Sequence, residues 1–127
     1  MSDATVNVRY MVDDVACAVD WYGKHLGFTP TLNAAPAFAA MAKDSLRLLL
    51  SGKTSSAGRP MPDGDQPAPG GWNRFQVVVA DIEKEAARLR TEGVNFRNDI
   101  VRGPGGAQVL LLDPSGNLVE LFQPASL

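Results

Sequence analysis

The chain repeats itself, and that repeat limits the available folds more than any other feature of the sequence. Val6-Asn7-Val8-Arg9-Tyr10-Met11-Val12-Asp13-Asp14-Val15 leads into a helical pattern that ends at Leu26-Gly27-Phe28. Asn73-Arg74-Phe75-Gln76-Val77-Val78-Val79-Ala80-Asp81-Ile82 leads into a second one that ends near Gly93-Val94. Asn7 falls on Arg74 and Asp14 on Asp81, a constant offset of 67. Self-similarity of this kind signals two copies of one small module. A module of roughly 55 residues is marginal alone by surface-to-volume scaling. The copies therefore depend on each other or on a second chain, and a cleft lined by equivalent positions from both is where function is expected.

Residue spacing assigns the elements of each copy. Val6, Val8, Tyr10 and Val12 alternate with Asn7, Arg9 and Met11, which is a strand with one packed and one more polar face. Asp14 suits a helix N-cap, and Val15, Ala18, Val19, Tyr22 and Leu26 keep helical spacing up to a stop at Gly27. Phe38 to Lys43 reads as a weak strand, with a tight turn near Asp44 before a stronger strand over Leu46 to Ser51. In the second copy, Arg74 to Val79 alternate in the same phase. Asp81 caps a helix with Glu83 and Glu85 early and Arg88 and Arg90 late, an order that suits the helix dipole. Strands are expected over Phe96 to Ile100, Gln108 to Leu112 and Leu118 to Phe122. Asp113-Pro114-Ser115-Gly116 suits a type I turn, and Gly103-Pro104-Gly105-Gly106 reads as a hairpin turn rather than a phosphate cradle, because no helix follows it. Residues 53–72, rich in Gly, Pro, Ser and Asp, read as a mobile connector or a lid.

Composition excludes several classes. The formal charge is −2 and no basic stripe is present, so nucleic acid is not an expected partner. No apolar run is long enough to span a membrane, and no signal pattern opens the chain. One cysteine rules out an intrachain disulfide and fits the reducing cytoplasm. One histidine means that a single chain cannot build a site from several imidazoles.

Val12-Asp13-Asp14-Val15, Asp20-Trp21-Tyr22 and Leu26-Gly27-Phe28 resemble the first-module signature of the vicinal oxygen chelate superfamily, which includes glyoxalase I, bleomycin-resistance proteins, fosfomycin-resistance enzymes and extradiol dioxygenases. Asp113-Pro114-Ser115-Gly116-Asn117-Leu118-Val119-Glu120-Leu121 resembles its closing hairpin. The resemblance implies an α+β fold of two tandem βαβββ modules forming a U-shaped, half-open mixed sheet around a cleft, commonly in a dimer. It places one domain over residues 1–127, with module one over about 5–52, a linker over about 53–72 and module two over about 73–124. It also implies where metal-binding members carry ligands: on the first and last strand of each module. Carried over, those positions are Asn7, about Leu49, Arg74 and Glu120. Glu120 alone matches a usual ligand. A fixed positive charge at Arg74 opposes a divalent cation. The expectation is therefore that no metal is used, with a divalent metal as the alternative.

The candidate ligand-binding residues are Asn7, Arg9, Phe38, Arg47, Leu49, Trp72, Arg74, Gln76, Gln108 and Glu120. Glu120 and Arg74 form either a functional pair, as a base and an anion anchor, or a neutralising salt bridge. Strand parity puts Arg9, Arg47, Gln76 and Gln108 on the concave face, as a polar pocket or a solvated surface. Trp72 and Phe38 either stack on a ligand or pack. Trp21 and Tyr22 read as core or interface, His25 as a helix-end cation, and Cys17 as inert.

Three functions compete. The first is a metal-independent small-molecule binding protein of the bleomycin-resistance type, with a link to antibiotic resistance, whose arginines favour an oxygen-rich or anionic ligand. The second is an enzyme of the family (lyase, isomerase or dioxygenase), using a metal or Glu120 and Arg74 as catalytic groups. The third is a structural or regulatory dimer with a vestigial cleft.

Overall fold

The computed structural model describes residues 6–126. The chain divides into two compact units on either side of the Gly70–Gly71 bond. In the first, β1 (Val6–Met11), α1 (Val15–Leu26), β2 (Thr29–Ala34), β3 (Phe38–Lys43) and β4 (Leu46–Ser51) form a sheet in the order β1-β4-β3-β2. In the second, β5 (Phe75–Val78), α2 (Ile82–Thr91), β6 (Asn95–Phe96), β7 (Val101–Gly103), β8 (Gly106–Leu112) and β9 (Leu118–Pro124) give the order β5-β9-β8-β6, with β7 also on β8. The fold is α+β; unit 1 is a βαβββ module, and unit 2 follows the same order with the strand after its helix split into β6 and β7.

The same physics starts each module. β1 runs parallel to β4, and β5 parallel to β9. Parallel partners need a crossover, which the helices supply. Asp14 Oδ1 accepts from Cys17 N at 3.0 Å, and Asp81 Oδ1 accepts from Lys84 N at 3.1 Å. The two equivalent aspartates thus do the same job, each satisfying an N–H that the first helical turn leaves open. Gly27 closes α1 in the left-handed region, at φ 73°, where its N–H reaches Tyr22 O.

In unit 1, α1 lays Val15, Ala18, Val19, Tyr22 and Leu26 on the sheet face carrying Ala39, Met41, Leu48 and Leu50. Tyr22 is fully buried and meets Phe28 edge-on at 5.6 Å. Burying side chains of this size contributes about 1.5–3 kcal/mol each. His25 is buried beside the Trp21 ring, and Cys17 is exposed. In unit 2, α2 covers the face bearing Val109, Leu111, Val119 and Leu121. Gln123 on that face accepts from Ile82 N at 2.9 Å and so ties β9 to the helix start. On the outer surface of α2, Arg88 bonds both Glu85 and Glu92. The Glu85 hydrogen bond is the main cause of its raised pKa.

The turn between β8 and β9 is built on one carboxylate. Asp113 Oδ1 accepts from Ser115 N at 2.8 Å and Asn117 N at 2.9 Å, and Asp113 Oδ2 accepts from Asn117 Nδ2 at 3.0 Å. Both side chains are buried. Gly116, at φ 86°, returns its N–H to Asp113 O at 3.0 Å.

Two strand expectations need correction. Phe96 to Ile100 is not one strand: pairing stops after Phe96 and resumes at Val101. Asn98 interrupts it, because its Oδ1 takes Leu110 N at 2.9 Å, a donor that would otherwise serve the ladder. β2 has no counterpart in the sequence reading. It is an exposed edge strand containing Pro30, with a register shift between Pro30 and Leu32. Its stability comes from pairing with β3 rather than from an apolar pattern.

Residues 53–70 belong to unit 1, and their first part is tightly folded. Gly52 N donates to Ala37 O at 2.9 Å, and Gly52 O accepts from both Ser55 N (3.1 Å) and Ser55 Oγ (2.6 Å). A 3-10 turn over Ser56–Gly58 follows, and Gly58 O takes Gln66 Nε2 at 2.6 Å. A Cβ on Gly58 would lie 2.4 Å from Gly52 O and 2.7 Å from Lys53 Cα. Since those atoms are backbone, Gly58→Ala is expected to destabilise by about 1–3 kcal/mol. Gly105→Ala meets nothing within 4 Å and should stay within about 0.5 kcal/mol. Asp81→Ala should cost about 1 kcal/mol through the lost cap. Urea denaturation midpoints of the three variants against the parent measure all three effects.

Candidate functional site

The face of each sheet opposite its helix carries the polar candidates. In unit 1 the ladder sets Asn7 beside Arg47, Arg9 beside Leu49, and Met11 beside Ser51 and, through Ser51, Phe38. Adjacent partners in a sheet point the same way, so Asn7, Arg9, Phe38, Arg47 and Leu49 share one face. Arg9 Nη1 donates to Ser51 Oγ at 2.8 Å, and Ser51 is fully buried. Beside it is a pocket of about 430 Å³ lined by Arg9, Ala37, Phe38, Thr54, Ser55 and Ser56. A second pocket, of about 280 Å³, lies where Asp13, Lys53 and Gln66 meet at the end of β1.

In unit 2 the corresponding face carries Arg74, Gln76, Gln108 and Glu120. Gln76 pairs with Glu120 and Glu120 with Leu110; Val78 pairs with Phe122 and Phe122 with Gln108. Glu120 is buried, its side chain only 9% exposed. Its Oε1 lies 3.0 Å from both Arg74 Nε and Arg74 Nη2, and its Oε2 accepts from Gln76 Nε2 at 2.8 Å. Arg74 reaches further with Nη1, to Trp72 O at 3.2 Å. A buried carboxylate persists when each oxygen has a donor, and here each does.

Two residues escaped the sequence reading. Arg97 continues the Glu120 row, since its N–H bonds Leu110 O at 2.8 Å, and its guanidinium lies 5.5 Å from the exposed Trp72 ring. Trp72 is thus stacked on a cation within its own unit. The signal for Arg97 was hidden by the continuous strand expected over Phe96 to Ile100. Ser51 was assigned to a strand but not to the site. The buried hydroxyl that ends β4 is what orients Arg9.

The ladders also fix equivalence between the units. Arg9 and Gln76 are 67 residues apart, and they pair with Leu49 and Glu120. Leu49 is therefore the counterpart of Glu120. The four positions where the resemblance implies metal ligands then hold an amide, an aliphatic side chain, a guanidinium and one carboxylate. Leu49 offers no donor atom. Glu120 has both oxygens engaged by the unit's own cation and amide. Catalytic metals of this kind are held by imidazole, carboxylate and carboxamide donors with lone pairs to spare. This donor set does not fit one. Among the described residues no group of three or more His, Cys, Asp or Glu side chains could hold a metal ion. No helix among them is long and apolar enough to cross a membrane.

A family model described as Glyoxalase/Bleomycin resistance protein/Dioxygenase superfamily matches residues 5–121. The fold is similar to that of a lactoylglutathione lyase from Agrobacterium tumefaciens, at 20% identity and TM-score 0.74, over 96% of this chain and 94% of that one. A member of the same superfamily from Sphaerobacter thermophilus matches at 23% identity and TM-score 0.77, over 96% and 98%. TnmS3, an antibiotic binding protein from Streptomyces sp. CB03234, matches at 26% identity and TM-score 0.73, over 98% and 99%. No curated protein matches the chain.

The Glu120–Arg74 pair makes a stability prediction. Removing one partner of a buried pair costs about 3–5 kcal/mol when the site is dry. The Arg74 side chain is 28% exposed and Gln76 remains a donor, so Arg74→Met is expected to cost about 2 kcal/mol. Combining it with Glu120→Leu should recover most of that loss, because no charge is then left unpaired. Chemical denaturation of the two single variants and the double variant, compared as a cycle, measures this.

Proposed function

This chain belongs to the glyoxalase/bleomycin resistance protein/dioxygenase superfamily, and we propose that within it the protein is a metal-independent small-molecule binding protein for an oxygen-rich or anionic ligand. The observation that carries the reading is the engagement of Glu120. The one carboxylate at a family ligand position engages Oε1 with Arg74 and Oε2 with Gln76, so a metal or a substrate proton would have to compete with those partners for it. The cationic face of unit 1, with Arg9 and Arg47 together, supports an anionic ligand. Similarity to an antibiotic binding protein supports binding rather than turnover, and sequestration of a drug-like molecule is the form that binding would take. The reading includes a homodimer in the cytoplasm, where an exposed cysteine such as Cys17 stays reduced. An enzyme using Glu120 as its acid–base group has less support, because that group would first have to give up its present partners.

A ligand that binds the folded state raises its apparent stability. Thermal-shift screening of metabolites and antibiotics, with chelator and separately with added divalent metal, tests the proposal. Stabilisation by anionic or oxygen-rich compounds, unchanged by chelator, is the expected outcome. Stoichiometric metal in protein purified without chelator, or a ligand that stabilises only with metal present, would overturn it.

A further inference from the structure

We infer that the pocket beside β1 is an oxyanion subsite, in which Arg9 and the hydroxyls of Thr54 and Ser56 take the carboxylate or phosphate end of a ligand whose planar apolar body rests on Phe38. This rests on the small-molecule reading above and adds which part of the ligand goes where.

Charge is the first argument. Leu49 stands where unit 2 has Glu120, so Arg9 has no carboxylate beside it on β4. Arg9 bonds Ser51 Oγ instead, a buried but neutral acceptor that fixes the guanidinium without cancelling its charge. Among the described residues the ion pairs involve Arg74, Arg88, Arg90 and Arg102, and none involves Arg9. Arg9 is exposed, so its remaining N–H donors face solvent as a planar fork that matches an oxyanion.

The second argument is the loop. Ser55 is the structural member of the trio: its hydroxyl is committed to Gly52 O at 2.6 Å, and the residue is buried. Thr54 and Ser56, on either side, are exposed and line the pocket with Arg9. The close packing of Gly58 on Gly52 and Lys53 holds this loop in shape without a ligand. A site already ordered avoids part of the entropic cost of binding.

Size and polarity complete the assignment. A volume of about 430 Å³ exceeds what a bare inorganic anion fills and lies in the range of small-molecule pockets. The half-buried Phe38 and Ala37 supply an apolar wall. The fitting ligand is an aromatic or similarly flat molecule with one anionic end.

Three naphthalene probes test this by calorimetric titration: 2-naphthoate, 1-naphthyl phosphate and the neutral 2-naphthamide. At least one of the two anions should bind roughly tenfold or more tighter than the amide, a margin in keeping with one charge-assisted hydrogen bond. The tighter anion identifies the headgroup. Arg9→Gln should erase the preference, and Arg9→Lys, which keeps the charge but loses the fork, should retain part of it. Lys24→Gln, an exposed cation on α1 outside the pocket lining, should keep the preference. Thermal melts of each variant confirm that it is folded. Equal binding of anions and amide, or a preference that survives Arg9→Gln, would overturn the subsite while leaving the binding-protein reading intact. Failure of all three probes to bind would also overturn it. Anion preference that appears only with divalent metal would instead count against the metal-independent reading.

Discussion

The Asp113 carboxylate sets the geometry on which unit 2 depends. By taking the N–H groups of Ser115 and Asn117, it fixes the turn that pairs Leu112 with Leu118. Every later pair along β8 and β9 follows, including Leu110 with Glu120. A strand that slips by one residue turns each side chain to the other face. Glu120 would then lie against the helix beside Val109 and Leu111 of β8, with no donor for its charge. The buried Asp113–Asn117 contact is thus what keeps an ionised group on the polar face.

From equivalent frames the two modules reach opposite electrostatic outcomes. In unit 2 the strand-end arginine and its neighbouring glutamine converge on a glutamate, and the charges cancel locally. In unit 1 the same ladder position is leucine, and the nearby arginine turns to a serine. Three equivalent positions, Asn7 for Arg74, Arg9 for Gln76 and Leu49 for Glu120, thus separate a self-satisfied polar cluster from an arginine with no carboxylate beside it on β4.

The repeat made much of this legible. Equivalent aspartates as helix caps, glycine at the end of α1, alternation on β1 and β5, and the Asp113 turn each follow from local rules that leave a residue-level trace. That Arg9 and Arg47 share a face within unit 1, and Gln76 and Gln108 a face within unit 2, followed from strand parity alone. What escaped the sequence had nonlocal causes. β2 is polar, contains proline and exists because β3 offers it an edge. Asn98 breaks a strand by bonding across to β8, which no window of neighbouring residues reveals. Arg97 and Ser51 gain their roles only from ladder partners far away in sequence. The composition of 53–72 resembles that of a slack connector, yet the two glycines at 52 and 58 serve close packing rather than freedom.

That close packing separates two tasks in the chain. The backbone of the 52–58 loop is held by Gly52, Ser55 and Gly58, none of which presents a free side chain to solvent. The neighbouring side chains at 54 and 56 hold up nothing. Exchanging them changes the lining of a pocket without disturbing a strand, a cap or a buried contact. A lineage carrying this loop can reshape that pocket lining one side chain at a time, at almost no risk to folding.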